Sequence, residues 1–150
     1  MRVSTQRARV MNLLLLNGPN LNLLGQREPD IYGYETLADI EATTQAHAEA
    51  RGAALTALQT NHEGEMIDRI HAARGTVDAI IINPAAWSHT SIALLDALNA
   101  FEGRVVEVHL SNIHRREAFR HHSYISARAD AVLAGMGAYG YLAAVDWLMR

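Results

Sequence analysis

Short apolar runs alternate along the chain with stretches in which apolar residues recur at helical spacing. Strands rich in Leu, Ile and Val are predicted at 12–17, 53–59, 78–83, 104–109 and 130–134. Helices are predicted between and after these runs, at 36–51, 63–74, 89–102 and 138–149. Strictly alternating strands and helices are typical of a parallel sheet with helices on both faces. Five strands in 150 residues favour an α/β fold, a flavodoxin-like open parallel five-stranded sheet, over a barrel.

The first long helical stretch carries its own start and stop signals. Thr36, followed three residues later by Asp39, is a variant of the capping box that begins many helices. Leu37 and Ile40 begin the stripe that faces the core, and Gly52 ends the helix. The pattern therefore predicts the boundaries of this helix as well as its existence.

Three clusters of polar residues follow the predicted strands at 12–17, 78–83 and 104–109. They read Asn17-Gly-Pro-Asn20, Asn83-Pro-Ala-Ala-Trp-Ser-His89 and His109-Leu-Ser111-Asn112. In open parallel sheets, ligands bind in the crevice outside the carboxyl ends of the strands, where such clusters meet. The sequence therefore predicts one binding site that is assembled from all three clusters.

Composition narrows the classes of partner. The net charge of −3 argues against a nucleic-acid partner, because proteins that bind polyanions usually carry a basic stripe. No run of about 18 apolar residues occurs, so no membrane partner is predicted. The absence of cysteine excludes disulfides and thiolate metal sites, and it fits a cytoplasmic location. The polar, unpatterned stretch 1–10 is predicted to be a disordered tail before a single catalytic domain at 11–150.

The connection after the first strand is long for a βα loop and rich in chemical groups. Such connections usually have about 2–6 residues, and longer ones are often lids or binding segments. This one carries Arg27 and Tyr32 among the turn-forming residues Gly25, Pro29 and Gly33. A tyrosine with its ordinary pKa of about 10 is a poor base at neutral pH, but a nearby guanidinium favours the phenolate. The sequence permits this pairing without requiring it, and a tyrosine that only serves a turn is the alternative.

The cluster after the fourth strand offers an acid and an anion-binding turn. His109 ends a predicted buried strand, and its ring titrates near neutral pH. Glu107 lies two residues earlier on the same strand face, where it can orient or charge the ring. Backbone N–H groups of Leu110 and Ser111 can hold a carboxylate, and Arg120 can close over the same anion. A base, an acid and an anion cradle together indicate proton-transfer chemistry on a small organic acid.

Three other motifs are better explained by structural roles. Gly135-Met-Gly137-Ala-Tyr-Gly140 matches a dinucleotide-binding pattern, but such a motif belongs after the first strand, so a tight turn is predicted. The histidines at 109, 114, 121 and 122 lack the spacing of a metal site, and no metal is expected. Asn61-His-Glu-Gly-Glu65 is predicted to begin a helix and offset its dipole, with a supporting role at the site as the alternative.

Five motifs in order and spacing resemble the type II 3-dehydroquinate dehydratases over essentially the whole chain from Met11. They are Asn17-Gly-Pro-Asn20, Arg27-Glu-Pro-Asp-Ile-Tyr32-Gly33, Asn61-His-Glu-Gly64, Asn83-Pro-Ala-Ala-Trp-Ser-His89-Thr-Ser91 and Glu107-Val-His109-Leu-Ser-Asn112. The resemblance implies a flavodoxin-like fold and a homo-oligomer, a dodecamer built from trimers; no cofactor is expected. The implied reaction is loss of water from 3-dehydroquinate to give 3-dehydroshikimate, a step of aromatic biosynthesis or of quinate breakdown.

The resemblance also implies roles for individual residues. Tyr32 would be the base that removes a proton beside the ketone, with Arg27 activating it and helping to stabilise the transition state. His109 would be the acid that protonates the departing hydroxyl, and Asn20 would hold a water against the developing enolate oxygen. Asp96, predicted on the same helix as His89, would approach the site of a neighbouring subunit. The other residues that would bind substrate are Asn83, His89, Leu110, Ser111 and Arg120.

Two other functions found among flavodoxin-like proteins fit these residues less well. An FMN-binding electron carrier needs a Ser/Thr/Gly-rich phosphate loop after the first strand, where this chain has Asn, Gly, Pro and Leu. A receiver module needs acidic residues where Asn17 and Asn83 stand, and a lysine after the fifth strand. The chain has no lysine, which also removes the iminium route to dehydration and leaves an enolate formed directly by a base.

Overall fold

The computed structural model describes residues 9–26, 28–32 and 34–150, and of Tyr32 it describes the backbone alone. Most of the predicted tail at 1–10 thus lies outside the described residues. In the described part of the chain, five strands form one sheet: β1 (Met11–Asn17), β2 (Ala53–Gln59), β3 (Ala79–Asn83), β4 (Arg104–His109) and β5 (Ala131–Ala134). All neighbouring pairs are parallel, and the order is β2-β1-β3-β4-β5. This is the flavodoxin-like order, as predicted.

Helices connect the strands and cover both faces of the sheet. Those in the described residues are α1 (Pro29–Tyr32), α2 (Leu37–Glu49), α3 (Glu63–Ala73), α4 (Ile92–Asn99) and α5 (Tyr139–Leu148). The predicted capping box is present at the start of α2. The Thr36 hydroxyl accepts a hydrogen bond from Asp39 N at 3.2 Å, and the Asp39 carboxylate accepts one from Thr36 N at 3.1 Å. None of the described helices is long and apolar enough to cross a membrane.

One predicted helix is wrong in its extent. The stretch 89–102 was expected to be a single helix, but a 3₁₀ helix at Ala85–His89 is separated from α4. Ser91 causes the break, because its hydroxyl accepts a hydrogen bond at 2.9 Å from a backbone N–H in the first turn of α4. His89 and Asp96 therefore lie on two separate elements instead of on one helix.

Two hydrophobic layers enclose the sheet. Leu13 belongs to the layer that contains residues of α2 and α5, whereas Leu14 belongs to the layer that contains residues of α3 and α4. Because both faces of the sheet are covered, its central strands read as continuous apolar runs instead of alternating ones. Asn17 and Asn83 are paired in register at the carboxyl ends of β1 and β3, and both are buried. The apolar core therefore ends at two adjacent asparagines.

The glycine motif at 135–140 forms the predicted turn between β5 and α5. Gly135 has a φ of 85°, which lies in the left-handed region that favours glycine. Gly140 packs closely on β4, since a β-carbon there would lie 3.2 Å from Val108 Cγ1. The motif therefore has the structural role that its place in the sequence indicated.

Candidate active site

A pocket opens at the carboxyl ends of β1, β3 and β4, where the sequence predicted the site. Asp96 lies on α4 and is not among the described residues that line the pocket. Arg27 and the side chain of Tyr32 lie outside the described residues. The predicted residues that do line the pocket are Asn20, Asn83, His89, His109, Leu110, Ser111 and Arg120.

A buried acid–base pair forms one wall of the pocket. Glu107 and His109 share a face of β4, and His109 Nε2 is hydrogen-bonded to Glu107 Oε2. Ser126 Oγ donates to the other carboxylate oxygen at 2.7 Å. Burial by itself would raise the pKa of Glu107, but the hydrogen bonds and the His109 ring outweigh it and hold that pKa below its usual range. The carboxylate thus accepts the Nε2 proton of His109, and any proton that the ring gives to a bound molecule must come from Nδ1.

His89 contributes a second imidazole to the pocket. Its Nδ1 lies 2.7 Å from the carbonyl oxygen of His122, so Nδ1 carries the proton and donates it. Burial lowers the pKa of His89; the nearby charges of His109 and Arg120 add to the effect, although the hydrogen bond to His122 opposes it. The ring is therefore neutral at neutral pH, and Nε2 is a hydrogen-bond acceptor.

Two arginines line the pocket and make it suited to an anion. Arg120 lines the pocket while its Nε donates to Glu117 Oε2 at 2.9 Å, an arrangement that holds the guanidinium in place. Arg116 also lines the pocket and was not predicted. Its position in a run of basic residues was the available signal, but nothing in the pattern favoured it over Arg115. Leu110 and Ser111 also line the pocket, directly after β4.

The loop after β1 is fastened to the start of α3. Asn20 has a φ of 68°, and its backbone N–H donates to Asn61 Oδ1 at 2.9 Å. Gln59 Nε2 donates to the same Asn61 oxygen at 3.1 Å and to the carbonyl oxygen of Gly18 at 3.1 Å. The acidic residues of the 61–65 motif do lie in the first turn of α3, as predicted. Asn61 has the supporting role at the site that was the alternative interpretation.

The first and second polar clusters meet at Gly18. Its backbone N–H donates to the carbonyl oxygen of Asn83 at 2.8 Å. A β-carbon at position 18 would lie 2.5 Å from the carbonyl oxygen of Pro84, which is shorter than any ordinary contact. Glycine is therefore required here, since it lets the two loops approach closely enough to share one pocket.

The buried Asn83 forms the floor of the pocket, and a residue that sequence reasoning missed lies behind it. Tyr141 on α5 is completely buried, and its hydroxyl donates to Asn17 Oδ1 at 2.6 Å. Asn83 Nδ2 donates to the same hydroxyl at 2.9 Å, while Asn83 Oδ1 accepts from Ala85 N at 3.1 Å. The two strand-end asparagines are thus joined through a tyrosine from the last helix.

The arrangement is suited to acid–base chemistry on an anion. It combines an imidazole that is hydrogen-bonded to a buried carboxylate, a neutral imidazole, amide groups and two guanidinium groups within one pocket. Among the residues that the structure describes, no group of three or more His, Cys, Asp or Glu side chains is placed to hold a metal ion.

The sequence and the fold match one known family. The family model described as dehydroquinase class II matches residues 11–149. A 3-dehydroquinate dehydratase 2 of Agrobacterium fabrum is 63% identical, over 91% of this chain and 92% of that protein. A catabolic 3-dehydroquinase of Emericella nidulans is 57% identical, over 90% of this chain and 88% of that protein.

Solved structures agree with these sequence matches. A type II dehydroquinase from Propionibacterium acnes superposes with a TM-score of 0.90 at 44% identity, covering 94% of this chain and 99% of that chain. Another from Butyrivibrio crossotus gives a TM-score of 0.92 at 38% identity, with the same coverage of both chains. The resemblance read from the five motifs is confirmed, and the chain belongs to the class II dehydroquinase family of hydro-lyases.

Proposed function

We propose that this chain removes water from 3-dehydroquinate to give 3-dehydroshikimate through an enolate intermediate. The observation that carries the proposal is the buried Glu107–His109 pair, whose histidine lines a pocket that two arginines also line. The names of the relatives support the substrate, since they include a 3-dehydroquinate dehydratase and a 3-dehydroquinase. The proposed unit is a single cytoplasmic catalytic domain over 11–150.

The first proposed step removes a proton from the carbon beside the ketone. Tyr32 takes this proton as the phenolate, and Arg27 favours the phenolate by its positive charge. Both assignments rest on the family motif. The electrons of the broken C–H bond form the carbon–carbon double bond of the enolate, and the negative charge moves to the ketone oxygen. Asn20, in the pocket lining, holds a water molecule against that oxygen.

The second proposed step expels the hydroxyl group. His109 donates a proton to this hydroxyl as the C–O bond breaks, so that the group leaves as water. The enolate electrons restore the ketone and leave the double bond of the enone in the ring. Glu107 balances the charge of the protonated His109 ring before the transfer. Loss of the proton from Tyr32 to solvent and uptake of one by His109 return the site to its starting state.

The remaining pocket residues orient the substrate. Backbone N–H groups of Leu110 and Ser111 hold the carboxylate together with Arg120. Asn83 and His89 supply further hydrogen bonds to oxygens of the substrate. Asp96 reaches the substrate of a neighbouring subunit in a homo-oligomer, which we propose to be a dodecamer built from trimers.

The test is to mix the purified protein with 3-dehydroquinate and to follow growth of the enone absorbance band. Tyr32→Phe should lower turnover on the order of 10²–10⁴-fold, because the variant lacks the base, and it should still bind 3-dehydroshikimate. Tyr34→Phe is the matched control, since Tyr34 lies two residues away with an exposed side chain, and it should keep wild-type turnover. Failure of the enone band to grow with the wild-type protein would overturn the proposed function. Full turnover by a folded Tyr32→Phe variant would remove Tyr32 from it.

A further inference from the structure

The hydroxyl of Tyr141 is the only polar part of a side chain that is otherwise surrounded by the apolar core. The side chain is completely buried, and burial raises the pKa of the phenol well above its usual range, so the group stays protonated. A neutral phenol has one proton to donate and lone pairs that accept. A buried hydroxyl of this kind needs partners for both, and Asn17 and Asn83 supply them.

The direction of every hydrogen bond in this group follows from a backbone amide that cannot reverse. Ala85 N–H must donate, so the Asn83 atom that it meets at 3.1 Å is the side-chain oxygen. The Asn83 nitrogen therefore faces Tyr141 and donates to its hydroxyl at 2.9 Å. The single hydroxyl proton of Tyr141 is then directed to Asn17 Oδ1, which lies 2.6 Å away.

This ordering determines what Asn83 presents to the pocket. Its side-chain oxygen is engaged by Ala85, and one of its two amide protons is engaged by Tyr141. The second amide proton remains, and Asn83 lines the pocket. Asn83 therefore meets a bound molecule as a donor, and the group opposite it must be an oxygen with a free lone pair.

We propose that Tyr141 is a positioning residue which, through Asn83, makes the pocket floor a hydrogen-bond donor for a carboxylate or hydroxyl oxygen of the substrate. The inference rests on the proposed function for the identity of that substrate. Tyr141 touches no substrate atom, so its effect passes through Asn83 and appears in binding instead of in the chemical step.

Tyr141→Phe removes one oxygen atom and leaves the ring in place. With 3-dehydroquinate, KM should rise about tenfold while kcat changes much less. Without the Tyr141 hydroxyl, the Asn83 amide is no longer held in one orientation, and ordering it on binding weakens the affinity for the substrate. Tyr139→Phe is the matched control on the same helix, since Tyr139 is exposed, and its KM should equal that of the wild type.

A double-mutant cycle separates positioning from a general structural role. In an Asn83→Ala background, Tyr141→Phe should leave KM unchanged, because the group through which Tyr141 acts is gone. A role limited to packing would lower the melting temperature and give the same KM change in both backgrounds. Asn17→Ala provides a second variant if Tyr141→Phe does not fold. It removes the acceptor of the Tyr141 proton, so it should also raise KM in a manner that disappears in the Asn83→Ala background.

The outcomes for the two proposals are distinct. A wild-type protein that does not convert 3-dehydroquinate overturns the proposed function and this inference with it. A wild-type protein that converts it, together with an unchanged KM in Tyr141→Phe or an equal KM rise in both backgrounds, leaves the function standing and overturns the role of Tyr141 alone. If Tyr141→Phe does not fold, an unchanged KM in Asn17→Ala, or an equal KM rise in both backgrounds, overturns the role of Tyr141 in the same way.

Discussion

Both carboxylate oxygens of Glu107 have hydrogen-bond partners within the protein, one in His109 and the other in Ser126. The side chain has no solvent exposure, so a charge there survives only because these partners stabilise it. The carboxylate in turn orients the ring of His109 through their hydrogen bond. At the scale of single residues, the acid of the proposed reaction is therefore a pair, and neither member works alone.

Exchanging Glu107 for glutamine should reveal this dependence. Glu107→Gln keeps the size of the side chain but cannot balance a protonated ring, so turnover should fall on the order of 10²-fold. The kcat of the purified variant measures this effect, with Glu65→Gln on the exposed side of α3 as the control. Wild-type turnover would show that His109 needs no charged partner.

The sequence predicted the residues of this pair but not the tyrosine behind Asn83. Side chains two residues apart on a strand point to the same face, so the neighbouring positions of Glu107 and His109 follow without knowledge of the fold. Tyr141 meets Asn83 and Asn17 across 58 and 124 residues of chain. Contacts of that span depend on how the last helix docks, and no local pattern encodes the docking. Arg27 and the side chain of Tyr32 lie outside the described residues, so their pairing stays a prediction.

Arg128 fastens the end of one helix to the start of a strand. Its guanidinium donates to the carbonyl oxygens of Leu98 at 3.0 Å, Phe101 at 2.8 Å and Gly103 at 2.6 Å. It also donates to Asp130 Oδ2 at 3.2 Å, just before β5. Leu98 lies in the last turn of α4, whereas Phe101 and Gly103 lie in the connection to β4, so this side chain holds the connection against the end of the helix.

Replacing Arg128 with lysine should destabilise the protein although the charge is kept. A single ammonium group cannot reach three carbonyls in the geometry of a planar fork, and unsatisfied buried acceptors cost about 1–3 kcal/mol each. The melting temperature of Arg128→Lys should therefore fall by about 5–10 °C for a domain of this size. Arg74→Lys, at an exposed position after α3, should melt like the wild type. Equal melting temperatures for all three proteins would mean that the fork is dispensable.

The elements themselves were largely predictable, and the exception has a specific cause. The central strands were located to within one residue because their apolar runs end abruptly at Asn17 and Asn83. The break before α4 was missed because the apolar spacing from Ile92 onward is helical whether the helix starts there or earlier. Ser91 decides the start through a single hydrogen bond, and a serine in a sequence signals a cap only weakly.

Assembly is a property of the whole molecule, and Asp96 tests it. Asp96 is exposed on α4, four residues after Ile92, whose side chain is 56% exposed, so an apolar and a charged group share a helix face. If this face meets a neighbour's site, light scattering should report a mass far above that of one chain. Asp96→Ala should then reduce activity, assembly or both. Asp68→Ala, at an exposed position of α3, should change neither. A fully active monomer would contradict the proposed assembly.

The composition of the whole chain restricts the chemical route. No lysine is present, so no side-chain amine is available to form an iminium with a ketone. Borohydride added together with 3-dehydroquinate should therefore leave the mass of the chain unchanged and cause little loss of activity. Mass spectrometry of the intact protein is the measurement. An adduct with the mass of the reduced substrate would replace the enolate route with a covalent one.

The hydrogen bonds among Asn17, Asn83 and Tyr141 also bear on how such a pocket can change over generations. Each of the three is hydrogen-bonded to another, so one codon change breaks at least one buried hydrogen bond. A single substitution at these positions is therefore costly, whereas a compensating pair of changes can restore the lost partner. The polarity of the floor is inherited together with the core, whereas exposed positions on the rim are free to vary one at a time.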